Sequence, residues 1–258
     1  MRLLVTGAAG LLGRELLRSA ACDVVPAYFS QTLPGGVHLD VRDRAGVRDV
    51  IRAVKPDGII HTAYLQDDWL TTAVGAVNVA LESGGARLVF VSTDAVFGPR
   101  ETPYAEHEPP CPITPYGAAK AAAETAIQAI TPDAVIARTS LIVGSDGTSE
   151  EEQRVRRLAA GEPGAFYTEN IRCPVHVGDL AAALLELLGS DLDGVTHVAG
   201  PQAVSRLELG RLIAIRDGYD PQALPSVPGT PSDVRLDCRR TQARLKTYLR
   251  PASEFLSR

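Results

Sequence analysis

The sequence predicts an α/β protein in which a doubly wound parallel sheet carries a small cap. Three observations predict this fold class. Short aliphatic runs alternate with helical patterns through the first half of the chain, and those runs are mostly apolar rather than alternating with polar residues. Strands of this kind are buried on both faces, and the helices between them cover those faces. The alternation stops at the polar, glycine-rich stretch 143–153, where we expect the cap to begin.

Each element follows from a local pattern. Aliphatic and β-branched runs predict strands at 3–6, 23–29, 58–63, 86–93 and 133–139. Helical patterns between them predict helices at 11–21, 44–54, 68–82 and 115–129. Later patterns predict a helix ending near 161, extended chain at 171–177, a helix at 179–188, a strand at 195–200 and a helix at 205–216. Pro26 interrupts the second strand and predicts an irregular or edge-like path there.

The composition excludes several classes of protein. The chain has 258 residues, 45% hydrophobic and 22% charged, which is typical of a folded globular protein. Its net charge of −5 disfavours nucleic acid or an anionic membrane as a partner. No stretch is long and apolar enough for a secretory leader or a membrane span. The four cysteines lack metal-ligand spacing, so we expect reduced thiols, a cytoplasmic location and no metal site.

A glycine-rich turn joins the first predicted strand to the first helix. Gly7, Gly10 and Gly13 follow the pattern G-x-x-G-x-x-G. Glycines at such a turn let the backbone approach a pyrophosphate, whose charge the helix N-terminus stabilises. A glycine-rich helix entry without a ligand is the alternative. Because a strand precedes the glycines and a helix follows them, the context favours a dinucleotide site.

These patterns predict two structural units. We expect a dinucleotide-binding domain of the Rossmann type at 1–142, to which residues 174–200 return. Residues 143–173 and 201–258 are expected to form a small substrate-binding subdomain. The second strand ends at Tyr28, Phe29 and Ser30 without the acidic residue that would repel a 2′-phosphate. The absence of an acidic residue favours NADPH as the cofactor. Because no arginine in the turn would bind the 2′-phosphate, NADH is also possible.

A second group of polar residues points to chemistry at a carbonyl. Ser92, Thr93 and Asp94 end the fourth predicted strand, and Tyr116 and Lys120 lie four residues apart on one helix face. A nearby ammonium group would lower the pKa of the tyrosine towards neutrality, and the Thr93 hydroxyl could bind a carbonyl oxygen. The alternatives are a simple turn cap after the strand and a tyrosine at a core edge.

Taken together, these motifs resemble those of the extended short-chain dehydrogenase/reductase family. The segments "STDAVF", "TPYGAAK", "ARTS", "CPVHVGDLA" and "PSDVRLD" are similar to the dTDP-4-dehydrorhamnose reductase branch, and the resemblance covers nearly the whole chain. It implies reduction of the 4-keto group of a dTDP-sugar with NADPH or NADH. It also implies catalytic roles for Thr93, Tyr116 and Lys120. We expect a monomer or a homodimer.

The resemblance further assigns the binding residues. Cofactor contacts are implied at Gly7, Gly10, Leu11, Leu12, Gly13, Ser30, Asp40, Val41, Ala63, Tyr64, Ser92 and Lys120. Substrate contacts are implied at Asp94, Thr139, Arg172 and Arg235.

Two positions depart from the family pattern. Ala95 stands where an aromatic residue usually contacts the sugar, and Thr230 replaces the arginine of an Arg-Pro motif. These departures favour an alternative of another class, an NADP-binding regulatory subunit of the methionine adenosyltransferase type. Retention of the three catalytic residue types favours an enzyme. A reductase of a small carbonyl compound without a nucleotide is a third possibility.

Overall fold

The computed structural model describes residues 1–229 and 232–257. Its strands are β1 (Arg2–Thr6), β2 (Asp23–Tyr28), β3 (Val37–His38), β4 (Gly58–His61), β5 (Arg87–Thr93), β6 (Val135–Thr139), β7 (Ile142–Val143), β8 (Phe166–Tyr167), β9 (Asn170–Arg172), β10 (Val175–His176), β11 (Gly194–His197), β12 (Val204–Ser205), β13 (Ser226–Val227) and β14 (Ser232–Asp233). Its helices are α1 (Leu11–Ser19), α2 (Arg44–Val54), α3 (Gly75–Glu82), α4 (Pro115–Ile130), α5 (Glu150–Ala159), α6 (Val177–Leu188), α7 (Arg206–Asp217), α8 (Arg239–Gln242) and α9 (Ala252–Phe255).

The main sheet has seven parallel strands in the order β11-β6-β5-β4-β1-β2-β3. The chain builds outward from β1 to β3 and then crosses to β4 on the other side of β1. The register aligns Thr6 with His61, and Thr93 with Thr139, so several strands end at one edge. A crevice between β1 and β4 at that edge is where open sheets of this topology bind ligands.

Apolar helix faces cover both sides of this sheet. On one side α1 and α6 bury Leu12, Leu16, Leu180 and Leu184 against the strands. On the other side α2, α3 and α4 bury a second cluster that includes Val47, Ile51, Val79 and Ile127. The predicted doubly wound α/β class is therefore confirmed.

The second half of the chain adds a smaller layer. Here α5, α7 and α9 enclose a separate core that includes Val155, Phe166 and Ile213. Three small sheets hold this layer together, with strand orders β10-β7, β12-β9-β14 and β13-β8. By contrast, β11 pairs with β6 and extends the main sheet. The predicted domain boundaries themselves stay a prediction.

Two local features differ from uniform helix and strand. The helix predicted at 68–82 begins with a π-helical turn at Leu70–Val74 before α3. The Thr72 hydroxyl within that turn donates to the Leu65 carbonyl at 2.7 Å, which ties the wide turn to the preceding loop. As predicted, the part of β2 that contains Pro26 is edge-like, because β3 pairs only with Ala27 and Tyr28.

No helix in the described ranges is long and apolar enough to cross a membrane.

Candidate active site

The glycine turn after β1 brings backbone segments unusually close together. Gly7 has φ +66°, and a Cβ there would lie 2.7 Å from the Ala63 nitrogen. A Cβ on Gly13 would lie 2.4 Å from the Gly7 carbonyl oxygen. Gly10 is the N-cap of α1 and has no side chain to occupy the space before the helix. The turn therefore leaves bare backbone N–H groups and a helix N-terminus exposed to a ligand, which fits a pyrophosphate.

Two adjacent cavities lie at this edge of the sheet. The larger has a volume of about 880 Å³, and the smaller a volume of about 230 Å³. The predicted residues that line the larger cavity are Gly7, Gly10, Leu11, Leu12, Gly13, Tyr64, Ser92, Thr93, Asp94, Tyr116, Lys120, Thr139 and Arg172. Those that line the smaller cavity are Gly7, Gly10, Ser30, Asp40, Val41, Ala63 and Tyr64.

Arg235 is the predicted site residue that the structure does not bring to either cavity. Its guanidinium binds the Asp233 carboxylate at 2.7 Å and also donates to the Glu101 carbonyl oxygen. These bonds occupy its guanidinium within the chain, outside the residues that line the two cavities. Thr230, the other position singled out in this part of the sequence, lies outside the described residues.

Helix α4 holds Tyr116 against the end of β5. The Thr114 hydroxyl caps the helix by accepting from the Gly117 N–H at 3.1 Å, and Pro115 occupies the first turn. A Cβ on Gly117 would lie 2.0 Å from the Ala95 carbonyl oxygen. Only glycine therefore permits this close approach, which allows a side-chain hydrogen bond between Tyr116 and Thr93.

Lys120 is buried one helical turn further along α4. Its side chain is 2% exposed, and its ammonium donates to the Val91 carbonyl oxygen at 2.8 Å. The ammonium also lies 4.6 Å from the ring centroid of Phe90 and 5.2 Å from that of Tyr64. Because burial disfavours the charged form, the pKa of Lys120 falls to about 7.

The expected lowering of the Tyr116 pKa is not what this structure shows. Burial raises the pKa of Tyr116, and the neighbouring Tyr64 adds to that rise. The hydrogen bond with Thr93 opposes it. The physical reason is that burial of the phenol disfavours its charged form, while the Lys120 ammonium donates to the backbone of β5.

A buried ion pair beneath the site was not predicted from the sequence. The Ser92 hydroxyl donates to Glu124 at 2.5 Å, and Glu124 pairs with Arg138 at 2.7 Å. Both charged side chains are 2% exposed. One pattern could have revealed this network, because Glu124 follows Lys120 by four residues and so lies on the same face of α4.

Further residues of the cavity walls were also missed. Arg42 lines the smaller cavity, where its guanidinium lies 5.1 Å from the Phe29 ring centroid and 2.8 Å from Asp40. Glu151 and Arg206 line the larger cavity and form an ion pair there. These residues come from loops and from the second half of the chain, where no motif marks them.

The fold and the cavities define an extended short-chain dehydrogenase/reductase: a parallel sheet with a glycine turn at its switch point, and a Tyr-x-x-x-Lys helix beside a strand-end threonine. The family model described as the RmlD substrate binding domain matches residues 1–256. The chain therefore belongs to the RmlD substrate-binding domain family. The resemblance proposed from the sequence is confirmed at this level.

Individual relatives span most of the chain. The dTDP-4-dehydrorhamnose reductase of Mycolicibacterium smegmatis is 34% identical over 242 residues, covering 86% of this chain and 71% of the relative. The beta subunit of methionine adenosyltransferase 2 from Danio rerio is 28% identical over 273 residues, covering 93% and 84%. The crystal structure of a dTDP-4-dehydrorhamnose reductase from Bacillus anthracis in complex with NADP is 26% identical with a TM-score of 0.85, covering 99% and 96%.

Proposed function

We propose that the protein is an NAD(P)H-dependent reductase whose substrate is the 4-keto group of a dTDP-sugar. One observation carries the proposal: Thr93, Tyr116 and Lys120 line the same cavity as the glycine turn. A cavity of about 880 Å³ at the strand ends is large enough for a nicotinamide and a sugar side by side. The relative named as a dTDP-4-dehydrorhamnose reductase supports the choice of substrate class.

Each catalytic side chain has a role that follows from its surroundings. A bound nicotinamide cofactor would supply the hydride to the carbonyl carbon. Tyr116 would donate its proton to the carbonyl oxygen, which gains negative charge as the reduction proceeds. Thr93 would hydrogen-bond the same oxygen and orient it. Lys120, with a pKa of about 7, would hold the ribose and add positive charge when protonated.

The smaller cavity supports the binding of the adenosine half of the cofactor. Ser30, Asp40, Val41 and Ala63 line it. The proposed cofactor is NADPH, because no acidic residue ends β2 and Arg42 lies on the cavity wall.

The substitution Tyr116→Phe tests the proposed chemistry. Since it removes only the phenolic proton donor, we expect kcat for a 4-keto dTDP-sugar to fall by about 100-fold or more. The dissociation constant of NADPH should change by less than about two-fold. Turnover is measured as NADPH oxidation, and binding as quenching of protein fluorescence. Wild-type turnover in this variant would show that another group is the acid.

A regulatory role is the second candidate, because the matching beta subunit of methionine adenosyltransferase 2 covers 93% of this chain. Stoichiometric binding of NADPH without its oxidation across a panel of keto-sugars would favour that role. A reductase of small carbonyl compounds is distinguished by competition, since dTDP alone should inhibit only an enzyme that binds the nucleotide.

A further inference from the structure

A cluster of four charged side chains lines the larger cavity beyond the catalytic residues. Asp94 follows β5, Glu151 lies in α5, Arg172 ends β9, and Arg206 begins α7. Arg172 lies 3.6 Å from Asp94, and Arg206 forms an ion pair with Glu151. The two pairs also interact electrostatically with each other, since Arg206 acts on Asp94 and Arg172 on Glu151. The cluster is therefore close to neutral as a whole.

Several polar atoms in this part of the cavity have no hydrogen-bond partner among the residues that the structure describes. They are Thr139 Oγ1, Glu151 Oε2 and Arg206 Nε. Thr139 is 4% exposed and Glu151 is 3% exposed. Leaving a buried donor or acceptor unpaired costs about 1–3 kcal/mol. Three such atoms on residues that line one cavity point to a ligand that supplies both donors and acceptors.

The chemistry of these atoms favours hydroxyl groups over phosphate. Glu151 Oε2 can only accept while the carboxylate is ionised, Arg206 Nε can only donate, and Thr139 Oγ1 can do either. A hydroxyl both donates and accepts, so it can satisfy the carboxylate and the guanidinium together. An ionised phosphate only accepts hydrogen bonds, so it could serve the Arg206 guanidinium but not the unpaired carboxylate oxygen of Glu151.

A purely structural role for the ion pair is disfavoured by a second pair on the same helices. Glu152 of α5 and Arg216 of α7 also lie 2.5 Å apart, and neither is part of the cavity wall described above. Helices α5 and α7 are thus already joined by a buried ion pair next to Glu151. The Glu151–Arg206 pair differs from it because both residues line the cavity and each keeps one buried side-chain atom without a hydrogen-bond partner.

We propose that Glu151 and Arg206, together with Thr139, form a subsite that binds the ring hydroxyls of the sugar and thereby sets sugar specificity. This inference rests on the proposed function, because it assigns the sugar end of the same substrate. It predicts that the sugar adds affinity beyond that of the nucleotide, and that this added affinity depends on the Glu151–Arg206 pair.

The test compares the binding of dTDP-glucose and of dTDP, measured by calorimetry in the presence of NADP⁺. For the wild type we expect dTDP-glucose to bind about 10-fold tighter than dTDP, as one or two buried hydrogen bonds would give. In the double variant Glu151→Leu/Arg206→Met this ratio should fall to about one, while the dissociation constant of dTDP changes less than about two-fold. An apolar pair of similar volume is chosen because it avoids an unpaired buried charge.

The matched control is Glu208→Gln, which neutralises an exposed carboxylate of α7 outside the cavity wall and should preserve the ratio. Glu151→Gln is the second variant and should lower the ratio without removing the side chain. A wild-type ratio of one, a preserved ratio in the double variant, or a loss of dTDP affinity in it would each overturn the subsite. Absence of keto-sugar reduction with an intact ratio would overturn the proposed reductase activity alone.

Discussion

At the scale of single residues, burial lowers the pKa of Lys120. Lys120 is enclosed by Phe90, Tyr64 and the Val91 carbonyl group, so its ammonium is removed from water. One hydrogen bond and two ring faces compensate for this lost hydration only in part. The pattern Tyr-x-x-x-Lys predicted the helix face correctly, but it could not predict how deep the face is buried. Depth depends on residues of β5 that pack against α4.

This burial has a consequence for stability that Lys120→Met tests. The pKa of Lys120 is about 7 in the folded chain and 10.5 as its ordinary value. Between these values the unfolded chain holds more protons, so wild-type stability should rise with pH, by up to about 1.4 kcal/mol per pH unit. The variant lacks this rise. We expect its stability advantage over wild type, measured by urea unfolding, to be largest near pH 7 and to shrink towards pH 10.

The matched control is Lys246→Met, which alters an exposed lysine. Its stability curve should run parallel to that of wild type. Parallel curves for Lys120→Met as well would contradict the lowered pKa of the buried lysine. Activity of Lys120→Met should be strongly reduced in the same preparation, so stability and function would change in opposite directions.

At the scale of elements, the start of α4 determines where Tyr116 lies. The sequence predicted this helix at 115–129, and the structure has it at Pro115–Ile130. A threonine at the N-cap and a proline in the first turn allow such a helix start to be predicted from the sequence. The role of Gly117 could not be predicted, because the atom that excludes a side chain is the Ala95 carbonyl oxygen, contributed by another element.

Gly117→Ala should therefore displace Tyr116 from Thr93. The added Cβ would lie 2.0 Å from the Ala95 carbonyl oxygen, and the helix start must shift to relieve the overlap. We expect kcat/KM to fall by about 10- to 100-fold, as small displacements of catalytic groups do. Steady-state kinetics measure the effect. In the control, Gly189→Ala, the nearest atom to the new Cβ is 3.8 Å away, and activity should be retained. Equal activity of both variants would show that α4 tolerates the shift.

The short strands of the cap could not be predicted from sequence patterns. Strands such as β7, β8 and β13 are two residues long, and a period of two cannot be recognised over such a length. They form because distant segments supply their partners, as when β8 pairs with β13. The long strands of the main sheet were predicted because each contains a continuous apolar run.

At the scale of the whole molecule, two buried neutral histidines make the fold sensitive to acid. His61 in β4 and His197 in β11 are 1% and 0% exposed. Burial lowers the pKa of His61 to about 3 and that of His197 to about 4. Since the ordinary value is 6.5, the unfolded chain binds these protons first as the pH falls. The stability that they contribute is complete above pH 6.5 and is lost towards pH 4.

The double variant His61→Phe/His197→Phe should lose stability less steeply with acid. Wild type should lose up to about 1.4 kcal/mol per pH unit for each histidine between pH 6.5 and 4.5, and the variant lacks that part of the slope. Urea unfolding across this pH range measures the slopes. His107→Phe replaces an exposed histidine and should keep the wild-type slope. An unchanged slope in the double variant would contradict the neutral, buried state.

The candidate site as a whole was only partly predictable for a similar reason. Motifs identified the strand-end and helix residues that line the larger cavity, such as Thr93 and Tyr116. They did not identify Glu151 or Arg206. These residues come from different helices and form one cavity wall only in the folded chain. Arg235 was assigned by resemblance alone; it bonds to Asp233 and Glu101 and lines neither cavity.

The two cavities share part of their walls, since Gly7, Gly10, Thr62 and Tyr64 border both. The two cavities therefore adjoin each other at these residues. A single synthetic molecule that joins an adenosine group to a sugar mimic through a short linker could fill both cavities at once. Such a bisubstrate inhibitor would gain from having only one set of translational and rotational freedoms to lose on binding.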